Sequence, residues 1–228
     1  MFNGKMKAVT FSYDDGVTQD IRLIELFNKY GLRATFNLNS GLLGRSNTLV
    51  REGKTVDHNK VAAKDVRHIY EGHEIAAHTL THPMLPSITE DSEIIRQVEE
   101  DRLALSELAG YEVVGFAYPG GGINYNGRVS EIIRRGTGVK YCRTIVSSHS
   151  FEPEKNLYEL KPTVYHHGEF DKTFALAEEF ISAKPDTDML LYIWGHSYEL
   201  DIHNEWDRFE ELCKMLSGRS DIFYGTNR

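Results

Sequence analysis

Apolar and polar positions along the chain follow a repeating order of short buried strands and amphipathic helices. Residues 8–13 are β-branched and aromatic and end at Asp14-Asp15-Gly16, which predicts a buried strand closed by a turn. Apolar residues at helical spacing follow over 21–27 and stop at Gly31, which predicts a helix. The same reasoning predicts strands over 33–38, 74–77, 113–118, 141–146, 189–194 and 222–224, and helices over 63–70, 88–108, 129–135, 170–183 and 206–216.

Strand and helix alternate through the whole chain, and this order favours a parallel sheet with helices packed outside it. Residues 40–60 are polar and without a period, so we expect a loop or a small excursion there. No linker or change of composition divides the chain, which predicts a single domain over residues 1–228. With about seven or eight strands, a closed or partly closed (β/α) barrel fits better than an open sheet, although the pattern does not force that choice.

Composition narrows the classes of partner. The 228 residues carry a formal net charge of -8, which disfavours nucleic acids and anionic membranes. The longest apolar run, Met189 to Trp194, is far shorter than the roughly 20 residues of a membrane span. Two cysteines, Cys142 and Cys213, are too few for a disulfide framework. The N-terminal segment lacks the apolar core of a secretory signal, so we expect a cytoplasmic protein.

Polar residues and glycines follow four of the predicted strands. Asp14 and Asp15 come after the first strand, and His78 comes after the strand over 74–77. A glycine turn at 120–122 follows the strand over 113–118, and His196 follows the strand over 189–194. In α/β folds of this kind, chemistry occurs just past the C-terminal ends of the strands. We therefore expect these residues to meet at one rim of the sheet.

The residue types at this rim suit a metal ion. Asp14 and Asp15, taken alone, are more typical of a surface turn, but two close carboxylates can also share a cation. His78 and His82 are four residues apart, a spacing that places both on one side of a helical turn. Two imidazoles with a carboxylate suit zinc with an open position, or iron. His73 lies in a turn and is a weaker candidate that we expect to be exposed.

Four segments together resemble the motifs of the polysaccharide deacetylase family, which is also called the NodB-homology domain or carbohydrate esterase family 4. Phe11-Ser12-Tyr13-Asp14-Asp15-Gly16 is similar to the family's Thr-Phe-Asp-Asp-Gly motif, and His78-Thr79-Leu80-Thr81-His82 matches its His-(Ser/Thr)-x-x-His motif in full. Phe116 to Gly121 resembles Arg-Pro-Pro-Tyr-Gly but lacks the arginine, and Leu190 to His196 resembles Leu-x-Ile-x-Leu-His. The motifs stand in family order over nearly the whole chain.

The resemblance implies a fold and a cofactor. The fold would be a single-domain distorted (β/α) barrel of about seven parallel strands, as in NodB-like proteins. The cofactor would be one divalent metal ion bound by Asp15, His78 and His82. Zinc is the first expectation for this ion, with Co²⁺, Ni²⁺ and Fe²⁺ as alternatives.

The resemblance also implies roles for residues around that ion. Asp14 would be the general base and His196 the general acid. The backbone N–H of Gly120 would help to stabilise the oxyanion. We assign Tyr118 and Trp194 to substrate binding, with Trp194 as a wall of the acetyl pocket.

The chain departs from the family pattern at two places. Ala117 stands where the family has the arginine that pairs with the base aspartate, and we predict that Arg143 replaces it and contacts Asp14. The family motif whose aspartate orients the acid histidine is missing between residues 150 and 188. The residues left open for that role are Glu199, Asp201 and Asp207, and His166 and His167 are further candidates for lining the cleft.

The sequence thus predicts a metal-dependent hydrolase that removes acetyl groups from an N-acetylated or O-acetylated carbohydrate. Two alternatives stay open: hydrolysis of a non-sugar amide on the same scaffold, and an inactive domain that binds carbohydrate. The expected partner is an acetylated carbohydrate, with no nucleic acid and no membrane, and the pattern leaves the oligomeric state open.

Overall fold

A computed structural model describes residues 2–228 and shows one large parallel sheet with helices around it. The strands of this sheet are β1 (Lys7–Asp14), β2 (Ala34–Leu38), β5 (Glu74–Ala77), β6 (Gly115–Ala117), β7 (Tyr141–Arg143), β8 (Val164–Tyr165), β9 (Met189–Gly195) and β10 (Ile222–Tyr224). A separate two-stranded sheet is formed by β3 (Thr48–Arg51) and β4 (Lys54–Asp57). The helices are α1 (Asp20–Lys29), α2 (Val66–Ile69), α3 (Asp91–Ala109), α4 (Gly127–Gly136), α5 (Phe170–Ser182), α6 (Glu199–Ile202) and α7 (Trp206–Leu216).

The strand order in the large sheet is β7-β6-β5-β2-β1-β9-β8, with β10 paired to β1 as well. Every residue of β1 and β2 is buried, as expected for strands covered on both faces. The β9 strand lies along one edge of β1 from Lys7 to Tyr13. On the other edge, β10 pairs with the beginning of β1 and β2 pairs with its end.

The sheet curls into a half-barrel. Three strands separate β7 from β1, which is about 19 Å across a flat sheet. Arg143, at the end of β7, nevertheless reaches the carboxylate of Asp14 at the end of β1. The segment after β7 turns back, so that Leu160 bridges to Arg143 while Thr163 bonds to β9. The distorted barrel of about seven parallel strands that the sequence predicts is therefore confirmed.

The core lies between the sheet and its helices. Helix α3 buries Ile94, Val98 and Leu105 on one face, and α4 buries Val129 and Ile133 in the same cluster. Burial of such side chains stabilises a fold by about 1.5–3 kcal/mol each. Within residues 2–228, none of the helices has the length and apolar character that crossing a membrane requires.

The polar stretch over 40–60 is more structured than predicted. It contains the antiparallel hairpin β3–β4, whose residues are mostly exposed, which explains why no hydrophobic period marks them. The hairpin stands beside the C-terminal end of the barrel, where Leu49 and Arg51 line the same cavity as Asp14.

Candidate active site

A cavity of about 540 Å³ opens at the carboxyl ends of the barrel strands. The sequence analysis assigns a metal, catalytic or substrate-binding role to nine residues. Seven of them line this cavity; they are Asp14, Asp15, His78, His82, Gly120, Trp194 and His196. Each follows or ends a strand of the large sheet, since β1, β5, β6 and β9 all deliver their C-terminal ends to this rim. The expected convergence of polar strand ends is confirmed.

Asp14 is a buried carboxylate with a fixed orientation. Its Oδ1 accepts hydrogen bonds from Asn37 Nδ2 at 2.8 Å and from Arg143 Nη2, and its Oδ2 lies 3.8 Å from His78 Nε2. Burial alone would raise the pKa of Asp14, but the charge and hydrogen bond of Arg143, together with the imidazoles of His78 and His196, outweigh burial and lower that pKa. Asp14 is therefore ionised at neutral pH and can accept a proton.

The predicted contact between Arg143 and Asp14 is confirmed. Arg143 is fully buried, and its guanidinium lies over the ring of Trp194, 4.5 Å from the centroid. The contact differs in one detail from the two-pronged geometry expected of a guanidinium, because Nη2 alone bonds to the carboxylate while Nη1 faces the carbonyl of Thr144 at 3.5 Å. The arginine thus reaches the base from β7 and not from the position of Ala117.

Asp15, His78 and His82 form a candidate metal site. One ligand atom from each residue lies within 4.8 Å of the other two. The Nδ1–H of His78 donates to the carbonyl of Ala117 at 2.8 Å, which leaves Nε2 facing the site. Burial lowers the pKa of His78 to about 4 and lowers that of His82 as well, so both imidazoles are neutral and have a free lone pair. Two neutral imidazoles and one carboxylate fit a divalent ion of the zinc type.

The backbone that carries these ligands is strained. Asp15, Thr79 and His82 have positive φ values of 84°, 70° and 61°. Such conformations cost on the order of 1–3 kcal/mol each for residues other than glycine and cluster at functional sites. Local bonds stabilise the turn: Thr79 Oγ1 accepts from the backbone N–H of His82 at 3.1 Å, and Asn39 Nδ2 donates to the carbonyls of His78 and Thr79.

Two residues at the site were missed by the sequence analysis. His58 Nε2 lies 3.1 Å from Asp15 Oδ2, and Lys60 Nζ donates to the carbonyl oxygen of Asp15 at 2.7 Å. Burial would raise the pKa of Asp15, but the hydrogen bond from His58 and the charge of Lys60 keep it well below its ordinary value. Both follow the hairpin in the polar stretch over 40–60, where no spacing or periodicity marks them.

His196 is paired with Glu199, one of the three candidates left open by the sequence. The Nδ1 of His196 lies 3.0 Å from Glu199 Oε1, and the backbone N–H of His196 donates to Oε2 at 3.0 Å. Burial would lower the pKa of His196, but the charge and hydrogen bond of Glu199, together with the charges of Asp15 and Asp14, outweigh burial and raise that pKa to about 9. Asp201 instead accepts from the indole N–H of Trp206 at 2.7 Å. His196 is therefore a protonated imidazole whose Nε2 faces the cavity, 4.0 Å from Asp15 Oδ2.

The residues assigned to substrate binding separate into two groups. Gly120 lines the cavity with a φ of 86°, and Trp194 forms a wall there, stacked on Tyr165 with ring centroids 4.3 Å apart. The assignment of Tyr118 is wrong for its side chain, because the ring is fully buried and its hydroxyl donates to the carbonyl of Tyr158. Strand alternation explains this, since Tyr118 follows the short strand β6 and points into the core.

The structure shows the environments of three further histidines that the sequence analysis named. His73 is buried and not exposed, and its Nδ1 accepts from the backbone N–H of Ala34 at 3.2 Å. His166 is fully buried against the ring of Tyr13 and does not line the cavity. His167 lies beside the hairpin, where its Nε2 is 3.1 Å from Glu52 Oε1.

A curled (β/α) barrel with a buried base, a candidate metal site and a protonated imidazole at one mouth is typical of a hydrolase that activates water. The family model for polysaccharide deacetylase matches residues 3–139. The chain therefore belongs to the polysaccharide deacetylase family, whose members are hydrolases of acetylated carbohydrates. No curated protein sequence matches the chain.

Solved structures share the fold at low sequence identity. A family 4 carbohydrate esterase from Streptomyces lividans, in complex with acetate, is 14% identical with a TM-score of 0.57, over 97% of this chain and 92% of that one. The peptidoglycan deacetylase PdaC from Bacillus subtilis is 16% identical with a TM-score of 0.54, over 97% and 88%. The Streptococcus pyogenes deacetylase PplD, also with acetate, is 19% identical with a TM-score of 0.51, over 66% of this chain and only 61% of that one.

Proposed function

We propose that the protein hydrolyses the acetyl group from an N-acetylated or O-acetylated carbohydrate, using a divalent ion, zinc in the first place, bound by Asp15, His78 and His82. The observation that carries the proposal is the position of Asp14. This carboxylate is buried beside the three candidate ligands and kept ionised by Arg143 together with the nearby imidazoles, as a base for water must be. Family membership supports a carbohydrate as the acetylated partner.

Asp14 is the proposed general base. A divalent ion at this site would supply a Lewis acid that makes bound water more acidic and polarises a carbonyl. Asp14 accepts the proton that the attacking water loses, and the bonds from Asn37 and Arg143 to Oδ1 leave Oδ2 turned toward His78 and the cavity. A positioned base of this kind contributes about 10²–10⁴ to the rate.

His196 is the proposed general acid. Its Nδ1 is engaged by Glu199, so the proton available to the substrate is the one on Nε2. Because its pKa is raised to about 9, the imidazole carries this proton at neutral pH. It donates the proton to the sugar nitrogen or oxygen as the bond to the acetyl carbon breaks.

Gly120 and two aromatic rings would position the acetyl group. A backbone N–H at Gly120 can approach a developing oxyanion closely because no side chain stands in front of it. Trp194 and Tyr165 form a flat apolar wall that suits a methyl group or a sugar face.

Acetate release from a panel of N-acetylated and O-acetylated sugars, together with non-sugar amides, tests the proposal. The wild-type protein loaded with zinc should release acetate from at least one sugar, and Asp14→Asn should keep its metal while losing about 10²–10⁴ in rate. His82→Ala should lose metal. Full activity in folded Asp14→Asn, or stoichiometric metal in folded His82→Ala, would falsify the assignment, and release from non-sugar amides alone would overturn the substrate class.

A further inference from the structure

A second group of metal-type ligands lies outside the catalytic cavity. It consists of Glu52, His167 and His203, whose ligand atoms all lie within 4.8 Å of one another. Glu52 is at the tip of the β3–β4 hairpin, His167 follows β8, and His203 follows α6. Three segments that are distant in the chain therefore meet at this point, and none of the three residues lines the cavity that holds Asp14.

The side chains are oriented as ligands of one ion. His167 Nε2 lies 3.1 Å from Glu52 Oε1, and His203 Nε2 lies 2.9 Å from Glu52 Oε2. The two imidazole rings are stacked, with centroids 5.4 Å apart and planes 28° apart. Both Nε2 atoms thus point to the same carboxylate. The donor set, two imidazoles and a carboxylate, is one that zinc commonly takes with further positions open to water.

Exposure at the cluster suits an ion arriving from solvent. The side chain of His167 is only 9% exposed and provides a fixed ligand, whereas those of His203 and Glu52 are 34% and 53% exposed. Small movements of the two exposed side chains would make room for an ion at roughly 2.0–2.2 Å from each of the three ligand atoms.

The hairpin turn holds Glu52 in an unusual conformation. Glu52 and Gly53 have φ values of 52° and 73°, so both central residues of this two-residue turn are left-handed. Such turns favour asparagine, aspartate or glycine at the first position. A glutamate is less suited to this backbone than asparagine, but its longer side chain reaches the two imidazoles.

We propose that Glu52, His167 and His203 form a second divalent-metal site, suited to zinc, that fastens the β3–β4 hairpin to the barrel. The hairpin carries Leu49 and Arg51 in the wall of the catalytic cavity. An ion at the tip would replace the two polar contacts between Glu52 and the imidazoles with coordinate bonds and so restrict movement of that wall. The second site is structural, and it is independent of whether the first site hydrolyses acetyl groups.

Zinc stoichiometry measured by equilibrium dialysis with zinc alone tests the site. Wild-type protein should bind two equivalents, His82→Ala one and His203→Asn one. Glu52→Gln, at a half-exposed position that tolerates the change, should also bind one. The matched control is His149→Asn, because His149 pairs with Glu169 at 3.5 Å and no third ligand joins them within residues 2–228, so this variant should still bind two. One equivalent in the wild type, or two in both Glu52→Gln and His203→Asn, would overturn the proposal.

Trypsin cleavage of the hairpin tests the fastening. Arg51 and Lys54 flank the turn and are exposed, so both bonds are candidates for cleavage. In His82→Ala, which keeps the second site only, zinc should slow cleavage at these residues severalfold. The same zinc concentration should give no protection in His82→Ala/His203→Asn, which also controls for any effect of zinc on trypsin. Equal cleavage with and without zinc in His82→Ala would show that the hairpin is not fastened.

Discussion

Arg143 and Asp14 are 129 positions apart in the chain, yet the guanidinium of one contacts the carboxylate of the other in the buried floor of the cavity. The contact is possible because the sheet curls until the ends of β7 and β1 face each other. The positive charge in this contact has no access to water, and the carboxylate lies beside the candidate metal ligands. The pair therefore links the curvature of the barrel to the protonation state of the proposed base.

Replacing Arg143 with lysine tests this link. Lysine keeps the charge but lacks the planar group that lies over Trp194 and donates to Asp14, so the base should lose its orientation. We expect kcat/KM for acetate release to fall about 10- to 100-fold, as for loss of a charge-assisted hydrogen bond. Arg208→Lys, at a surface pair with Asp171, is the control and should leave kcat/KM unchanged. Equal activity of the two variants would remove Arg143 from the mechanism.

Glu199→Gln should move the alkaline limb of the pH–rate profile. Burial lowers the pKa of His196, and the charge and hydrogen bond of Glu199 are the main causes that raise it to about 9. An acid must be protonated to act, so the variant should lose activity at a lower pH than the wild type. Glu169→Gln, which changes the surface pair with His149, should leave the profile in place. An unmoved alkaline limb in Glu199→Gln would contradict the assignment of His196 as the acid.

Adjacent glycines at the cavity provide a matched pair of variants. A Cβ on Gly120 would lie 2.2 Å from Met84 Sδ, and the φ of 86° disfavours any other residue. Gly121 has no positive φ, and a Cβ there would meet nothing within 4 Å. Gly120→Ala should therefore displace the turn and lower kcat about 10- to 100-fold. This loss is equal to or smaller than the one typical of a displaced oxyanion donor. Gly121→Ala should keep wild-type kcat, and comparable losses in both would indicate that the turn is not specifically placed.

His73 should make the folded state sensitive to acid. Burial lowers its pKa from 6.5 to about 4, so between these values the unfolded chain binds a proton that the folded protein does not. The stability from neutral His73 is complete above about pH 6.5 and is lost as the pH falls toward 4. His73→Gln removes this titrating group. Within that pH window, the free energy of unfolding of the variant should therefore fall by about 1 kcal/mol less per pH unit than that of the wild type. Urea unfolding of the metal-free proteins measures this difference, and parallel curves would refute it.

Much of the site could be predicted because it depends on strand ends. A parallel sheet brings the C-terminal ends of its strands to one rim, so Asp14, His78, Gly120 and His196 meet once the strands have been located. Arg143 could be predicted from the family arginine that is missing at Ala117, together with the need of a buried carboxylate beside a metal site for a positive partner. The way in which the Arg143 side chain reaches Asp14 across the curled sheet could not be predicted, because the pattern of apolar residues does not indicate how strongly a sheet curves.

The other features of the fold and of the site depend on contacts between distant segments, which the local pattern of apolar and polar residues does not encode. Most residues of the hairpin over 48–57 are exposed and only Val56 among them is buried, so the hairpin lacks the alternation that marks a half-buried strand. His58 and Lys60 come to Asp15 only because that hairpin folds against the barrel. The burial of Tyr118 follows from strand alternation, because Tyr118 comes two residues after Phe116 and enters the same core.

The central strand β1 has consequences for how the chain reaches its native state. One edge of β1 is covered by β9 and part of the other by β10, so the first strand of the sheet depends on the last two. Pairing between such distant segments is slow, and an unpaired strand edge is open to other chains. During synthesis or refolding, the fully buried strand β1 therefore keeps an open edge until the final strands pair with it. Aggregation before that docking competes directly with assembly of the catalytic rim.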